Sequence, residues 1–455
     1  MAQQHDTTVT EPVRRTEVFG SFDVVVLGGG PAGLAAAAAA GRAGASTLLV
    51  ERYGFLGGMG TAAGVTNFCG LHANVFGDIR QVVHGVTDDL LARIDRLGGL
   101  KEPHSVFGKN AAQAFDTAAF KIAADDLLVS AGVKILFHAL GAGVLMREDG
   151  RGIAALLLET KSGRRAVLGR VFIDASGDGD LAAWAGAPYE KTDPAHGMLY
   201  PSLMFRINGV DADAARATQD KLPALMEDAE QAGLFSFPRK RPIVRPQRNP
   251  LEWRANITQL SNADGSAIDG TDVWQLTRGE LQGRRQVRDV FPFYQREVPG
   301  FEAAYVVDIA PDIGIRETRR IVGPYQLSED DILDCADFPD AIGVNGWPVE
   351  AHVAGDVEIR WQRGENSRGY NQLPFRMIVP QGLTNAYVVG RCASMTHEGQ
   401  SSARVTGPCF AMGQAAGTAA DLALSGGVAA GAVDVGKLQA RLTEDGVRFD
   451  GGEAR

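Results

Sequence analysis

Gly28, Gly30 and Gly33 stand in the order G-x-G-x-x-G, and an acid, Glu51, follows about 20 residues further on. Each of these residue types answers a physical demand. Gly28 allows a tight turn, Gly30 lets a backbone approach a pyrophosphate, and Gly33 lets the next helix pack closely on the preceding strand. The helix that opens there offers unpaired N–H groups and a partial positive charge to phosphates. Glu51 can accept hydrogen bonds from a ribose, which fits an adenosine without a 2′-phosphate and so FAD or NAD rather than NADP. A second chemistry-bearing group, His397, Glu398 and Arg404, lies near the C-terminus. An imidazole beside a carboxylate can move a proton near neutral pH. A guanidinium can hold an anion or close a salt bridge.

These residues need elements to position them. Residues 22–27 form a short valine-rich run that reads as a strand, 34–45 a small-residue helix, and 46–50 a second strand ending at Glu51. Residues 171–173 read as a strand entering a loop that holds Asp174, Gly177, Asp178, Gly179 and Asp180. Residues 386–389 read as another strand, followed by a Gly390-Arg391 turn, a loop and a small-residue helix opening near Gly407-Pro408. Proline suits a first helical turn because its missing N–H costs nothing there. Between these segments the pattern predicts helices in the 64–116 insertion (86–97 among them) and over 115–131. It also predicts a strand at 133–138 and an antiparallel meander over 144–169. Further along, strands are expected at 202–207, 305–309 and 315–322, and helices at 212–232 and 280–298.

On these residues the chain resembles the FAD-dependent oxidoreductases of the glutathione-reductase-like superfamily. More narrowly, it resembles the group with a G-G-x-x-T loop after the first acid, here Gly57-Gly58-Met59-Gly60-Thr61. The same group carries a segment matched by Gly390-Arg391-Cys392-Ala393-Ser394, His397-Glu398, Arg404-Val405 and the run 413–420. Residues 314–332 and 370–391 match as well. The resemblance implies an α/β fold with a discontinuous Rossmann-like FAD-binding domain over 21–195 and 385–455. A mixed α+β substrate domain would occupy 196–384, and 1–20 would be a flexible tail. FAD is then expected to meet Gly28, Gly30, Pro31, Ala32, Gly33, Glu51, Arg52, Gly57, Gly58, Met59 and Thr61. Ala139 (beside the adenine), Ala175, Gly177, Asp178, Gly390, Arg391, Gly407 and Gly413 complete that set. The wider superfamily commonly has Gly-Asp where Gly390-Arg391 stands, which leaves open the residue that holds the ribityl chain.

The implied activity is hydride transfer between flavin N5 and a small organic substrate, anionic or heterocyclic. The loop carrying His397 and Glu398 is expected to face the isoalloxazine, with His397 handling the substrate proton or bracing the loop. The helix near Gly407 would stabilise charge on the reduced flavin. Arg404 would add to that charge or serve a structural salt bridge. Arg206, Tyr370, Asn371 and Arg376 are expected to line the flavin face, with at most one of Arg316 and Arg319 pointing inward. Arg239-Lys240-Arg241, with Arg245 and Arg248, reads as a solvated loop or subunit contact, or as an entry path for an anion. Other readings are a flavin monooxygenase, removal of sulfur from a thioxo heterocycle, and a flavin-bearing assembly subunit. The first needs a pocket protecting a flavin–oxygen adduct and usually draws on NAD(P)H, for which the sequence holds no second G-x-G-x-x-G, and this absence does not exclude it.

Composition bounds the rest. With 455 residues, 45% hydrophobic and 22% charged, the chain can bury a large core in two or three domains. A net charge of −10 argues against nucleic-acid binding. No apolar run is long enough for a membrane span, and Arg14-Arg15 is not followed by an apolar stretch, so no export signal is expected. Cys69, Cys335, Cys392 and Cys409 show no metal-ligand spacing, and no metal is expected. They read as buried thiols of a cytoplasmic protein, Cys392 with Cys409 being the one candidate redox pair. A small-molecule catabolic role and a homo-oligomer complete the expectation.

Overall fold

The computed structural model describes residues 8–193, 196–364 and 366–450. Its central sheet is built on β1 (Glu17–Leu27), β2 (Thr47–Val50), β3 (Lys134–Leu136), β4 (Leu140–Met146), β5 (Ile153–Thr160) and β6 (Gly163–Asp174). The strand order is β3-β2-β1-β6-β5-β4, and the short strand Ala386–Val388 also pairs β6. β1 runs parallel to both β2 and β6, with Val24 opposite Thr47 on one side and Val171 on the other. Val24, Val25 and Val26 are fully buried, as an apolar run must be when both sheet faces are covered. β6 serves two environments. Its first half pairs antiparallel with β5, and its last residues pair parallel with Ala386–Val388. β1 begins earlier than the sequence pattern indicates: Glu17 and Val18 already pair with Arg165 and Ala166. That part of the expected tail is therefore strand, while residues 1–7 lie outside the described residues.

Helix α1 (Pro31–Arg42) covers this sheet, and every residue from Ala32 to Ala40 is buried. It packs against α2 (Thr117–Ser130), whose Asp116 cap accepts from the Ala119 N–H at 2.8 Å, and against a long helix near the C-terminus described below. The 64–116 insertion holds one helix of more than four residues, Val86–Arg96. The rest is largely short strand, including His72–Val75 and Asn110–Ala114.

A second sheet lies in the middle of the chain. It contains β7 (Phe205–Asn208), β8 (Ile243–Pro246), β9 (Trp253–Asn256) and β10 (Tyr305–Ile309), ordered β8-β9-β7-β10 and antiparallel throughout. Helix α3 (Val273–Glu297) covers one face and forms with it a separate hydrophobic core drawn from residues 203–313. The helix expected over 212–232 is broken into Ala212–Thr218 and Leu222–Gln231, since Pro223 supplies no N–H to continue it. The strand expected over 315–322 reduces to Arg320–Ile321, which pairs with Glu190 and Tyr189, while the side chains of Arg316, Glu317 and Thr318 are tied to Tyr200, Arg320 and Asp178. Apolar residues between Leu327 and Ile378 pack into the first core, with α1.

The chain returns through β11 (Ala386–Val388), α4 (His397–Ala403) and α5 (Thr406–Gly426). α5 lies directly on α1. A Cβ at Gly413 would stand 2.0 Å from the Ala32 carbonyl oxygen, and one at Gly417 would stand 2.2 Å from that of Ala36.

Candidate active site

The turn between β1 and α1 is packed as its glycines require. Gly28 has φ +105°, and a Cβ there would meet the Ala175 carbonyl oxygen at 2.3 Å; at Gly33 a Cβ would meet the Gly28 oxygen at 1.8 Å. Gly30 differs. A Cβ there would meet only the Gly58 Cα, at 3.7 Å, and the residue borders a cavity. The space beside it is left for something other than protein. α1 has Pro31 in its first turn and no acid there, so its leading N–H groups face that space without an internal anion. Glu51 sits across the turn, accepting from the Gly29 N–H at 2.7 Å and the Tyr53 N–H at 3.0 Å. Burial raises its pKa against the pull of the Gly29 N–H and Arg52. These residues suit an adenosine pyrophosphate, with the backbone amides and helix end toward the phosphates and the acid toward the ribose.

The cavity, about 290 Å³, is lined by most of the expected cofactor residues: Gly28, Gly30, Pro31, Ala32, Glu51, Arg52, Gly58, Met59, Ala139, Ala175, Gly177, Gly390 and Arg391. Gly33, Gly57, Thr61, Asp178, Gly407 and Gly413 lie behind that wall. Thr61 Oγ1 donates to the Leu56 carbonyl at 2.7 Å, and the Gly57 N–H to the Gly29 carbonyl at 2.8 Å, so both hold the loop that carries Gly58 and Met59. Asp178 accepts from Arg391 Nη2 at 2.7 Å and from Thr318 Oγ1 at 2.8 Å. This clasp joins three distant stretches of chain at the cleft. Gly407 and Gly413 are glycines because backbone of Gly70 and of Ala32 lies where a side chain would begin.

Beyond the cleft the cavity continues into a chamber walled by the second sheet. Strand alternation explains how. On β9, Trp253 and Ala255 enter the core under α3, so Arg254 and Asn256 face the other way, into the cavity. On β8, Ile243 and Arg245 stand opposite Asn256 and Arg254 and face it too. Two arginines thus stand directly opposite each other, a pairing that costs stability. Arg316 and Arg404 line the same space. Arg316 Nη1 donates to the Tyr200 carbonyl at 2.6 Å and Nη2 to Ser202 Oγ at 2.9 Å. Arg404 ends α4, and its Nη2 donates to the Glu350 carbonyl at 3.3 Å. α5 opens two residues later with no side-chain cap and no acid in its first turn, and Val405, Thr406 and Cys409 line the cavity. A helix N-terminus therefore meets the chamber.

The strand Val349–Val353 puts Glu350 and His352 on the chamber side. His352 Nε2 lies 3.3 Å from Glu350 Oε1, and Trp347 Nε1 donates to Oε2 at 2.8 Å. Burial opposes ionisation of Glu350, but the His352 hydrogen bond, the Arg404 charge and the Trp347 N–H outweigh it and bring its pKa to about 2. Burial and the charge of Arg316 hold His352 well below its usual range, so its imidazole is neutral. Burial pushes the Cys69 thiol up to about 12. The four cysteines are unpaired.

Several expected residues are elsewhere. His397 and Glu398 lie not in a loop but in the first turn of α4, capped by Thr396, and neither borders the cavity. His397 Nδ1 contacts Glu317 at 3.0 Å, and its ring stacks on His196 at 5.7 Å; Glu398 lies 3.5 Å from His196. Arg206 pairs with Glu252 and Asp308, and Arg376 with Asp340 at the surface. Tyr370 and Asn371 are buried in packing. Of Arg316 and Arg319, Arg316 reaches the cavity; Arg319 binds Asp180. Sequence reading passed over Arg254, Glu350 and His352. The alternation Trp253-Arg254-Ala255-Asn256 was the available signal.

A sheet with a parallel core, a glycine turn aimed at an open cleft and an acid at the next strand end define a dinucleotide-binding α/β enzyme. The family model described as FAD dependent oxidoreductase matches residues 23–442, and the chain belongs to that family. It is an FAD-dependent enzyme. No curated protein matches the sequence. Among solved structures, the fold is similar to that of a geranylgeranyl bacteriochlorophyll reductase-like protein of Thermoplasma acidophilum (13% identity, TM-score 0.50, 95% of this chain and 85% of that one). More distant are the flavin-dependent brominase Bmp2 (13%, 0.46, 93% and 83%) and the anhydrotetracycline hydroxylase OxyS of Streptomyces rimosus (12%, 0.45, 94% and 66%). Among the described residues no helix is long and apolar enough to cross a membrane.

Proposed function

We infer that this enzyme transfers a hydride to or from a small organic substrate, anionic or heterocyclic, in the chamber beyond the cofactor cleft. The observation that carries this reading is continuity: one cavity runs from Gly30 and Glu51 to Arg254, Arg404 and His352. Bound FAD supplies the two-electron redox chemistry. The chain's own residues do the rest. Arg391, fixed by Asp178, and Gly390 border the cleft, while the α5 N-terminus and Arg404 stabilise negative charge developing beside them. His352 replaces His397 as the group proposed to handle the substrate proton. With Nε2–H directed at Glu350, its Nδ1 is free to accept a proton, and the ionised Glu350 stabilises the imidazolium that forms.

The same reading places the chain in the narrower group with the G-G-x-x-T loop, which the packing of Gly57 and Thr61 supports. It also assigns a small-molecule catabolic role in the cytoplasm, where four unpaired thiols fit a reducing environment. Homo-oligomerisation belongs to the proposal as well. Two domains are proposed, with the separate core over 203–313 supporting the substrate domain. Packing of 327–378 into the first core favours ending that domain near residue 326.

The test is anaerobic titration of the FAD-loaded protein with NADH and NADPH, followed at about 450 nm. Slow or absent bleaching is expected, with an organic substrate reducing the flavin instead. Rapid bleaching by either nucleotide would mean that a nicotinamide drives the flavin, so that the substrate is reduced or oxygenated. Once a substrate is in hand, His352→Gln should lower kcat about 100-fold or more, and His397→Gln far less.

A further inference from the structure

The chamber concentrates positive charge to a degree that FAD binding at the other end does not explain. Arg245, Arg254, Arg316 and Arg404 all border it, and Glu350 is the one acid at that end. Among the described residues none of the four closes an ion pair. Their partners are neutral: the Ser105 carbonyl for Arg245, Met204 Sδ for Arg254, the Tyr200 carbonyl and Ser202 Oγ for Arg316, and the Glu350 carbonyl for Arg404. The Asn67 side-chain oxygen, in the orientation that satisfies its neighbours, adds a contact to Arg254 Nη2 at 3.0 Å. Arg254 is 5% exposed, and its Nε has no hydrogen-bond partner; Arg404 Nε has none either. Burial, and for Arg254 and Arg316 the repulsion of neighbouring guanidiniums, disfavours the charged forms. Arg254 falls to about 10, and Arg316 well below its usual value. Buried charges persist where something pairs them. His352 and Cys69, both in the chamber, are neutral and leave the excess uncompensated.

Building on the function proposed above, we propose that this chamber binds an organic dianion, its two negative charges held by Arg254 and Arg404 with Arg245 and Arg316 completing the site. A dicarboxylate fits the planar, forked donors of guanidinium, and a phosphate monoester shares that chemistry. A monoanion would leave most of the excess charge unpaired.

Calorimetry on the FAD-loaded protein tests this without turnover. The probes are dicarboxylates from malonate to adipate, butyrate as the monoanion, and inorganic phosphate. At least one dicarboxylate, or phosphate, should bind about 10-fold or more tighter than butyrate, and the preference should shrink with added salt. A dicarboxylate preference assigns carboxylate substrates, and a phosphate preference assigns phosphorylated ones. Arg254→Met should weaken the preferred dianion by roughly 30-fold or more with the flavin still bound. Should that variant lose FAD, Arg245→Met, at the less buried end of the pair, is measured in its place with the same direction expected. Equal, weak binding of every probe to flavin-loaded wild type overturns the proposal. Dianion binding to a protein whose flavin is neither reduced by an organic substrate nor, once reduced, reoxidised by one would leave this site standing and sink the hydride-transfer reading instead.

Discussion

Replacing Gly417 with alanine tests the packing that brings the two walls of the cofactor cleft together. The methyl group would lie 2.2 Å from the Ala36 carbonyl oxygen and 2.9 Å from the Ala39 Cβ. Neither obstacle is a flexible side chain. An ordinary carbon–oxygen contact is about 3.3 Å, so α5 must retreat from α1 by about 1 Å. Alanine is worth up to about 1 kcal/mol over glycine inside a helix, while overpacking a rigid contact costs about 1–3 kcal/mol. Separating helices along a whole contact line belongs at the upper end, leaving a net loss of about 2 kcal/mol. For a chain of 455 residues that lowers the unfolding midpoint by about 2 °C. Gly426→Ala, at the end of the same helix, is the control. Its methyl meets only the Val428 methyls, at 3.7 and 3.9 Å, so it should be neutral or stabilise by up to about 1 kcal/mol. Thermal unfolding of both variants, saturated with FAD, decides the matter. A Gly417→Ala protein as stable as the wild type refutes the argument, because the helices would then have room that the geometry denies them.

Two further outcomes follow from the cleft. Glu51→Ala strands the Gly29 and Tyr53 N–H groups and removes the acid beside the ribose; FAD affinity should fall 10-fold or more, read by flavin fluorescence. Asp174 is fully buried, and desolvation raises its pKa from 3.8 to about 6 despite hydrogen bonds from Ser176 and the Ala182 N–H. A raised folded pKa gives stability that is present below pH 4 and lost as pH climbs through 6. Relative to Asp174→Asn, the wild type should therefore lose about 3 kcal/mol over that interval in denaturant titrations.

The parts of this molecule that were legible in sequence are local. The strand, turn and helix from Val24 to Ala40 are specified by residues adjacent in the chain, each doing one thing. The α5 N-terminus was legible for the same reason, through Gly407 and Pro408. The arginine wall was not, because Arg245 and Arg254 meet only through the register of β8 on β9. A basic cluster with proline reads as a surface loop until that pairing turns Arg245 inward and leaves Arg241 exposed. His397 and Glu398 misled for a related reason. Their spacing from Arg404 was correct for the segment, but α4 gives His397 to Glu317, a residue that no local pattern connects with it.

The cleft has one wall from the beginning of the chain and another from near its end: Gly28 to Gly60 on one side, Val389 to Cys409 on the other. A ribosome delivers the first wall long before the second. Until Cys409 has emerged, the wall from Val389 to Cys409 is missing and the nascent chain cannot fully enclose a flavin. Cofactor capture is thereby tied to synthesis of this late segment, and a chain stalled before Val389 is expected to emerge colourless.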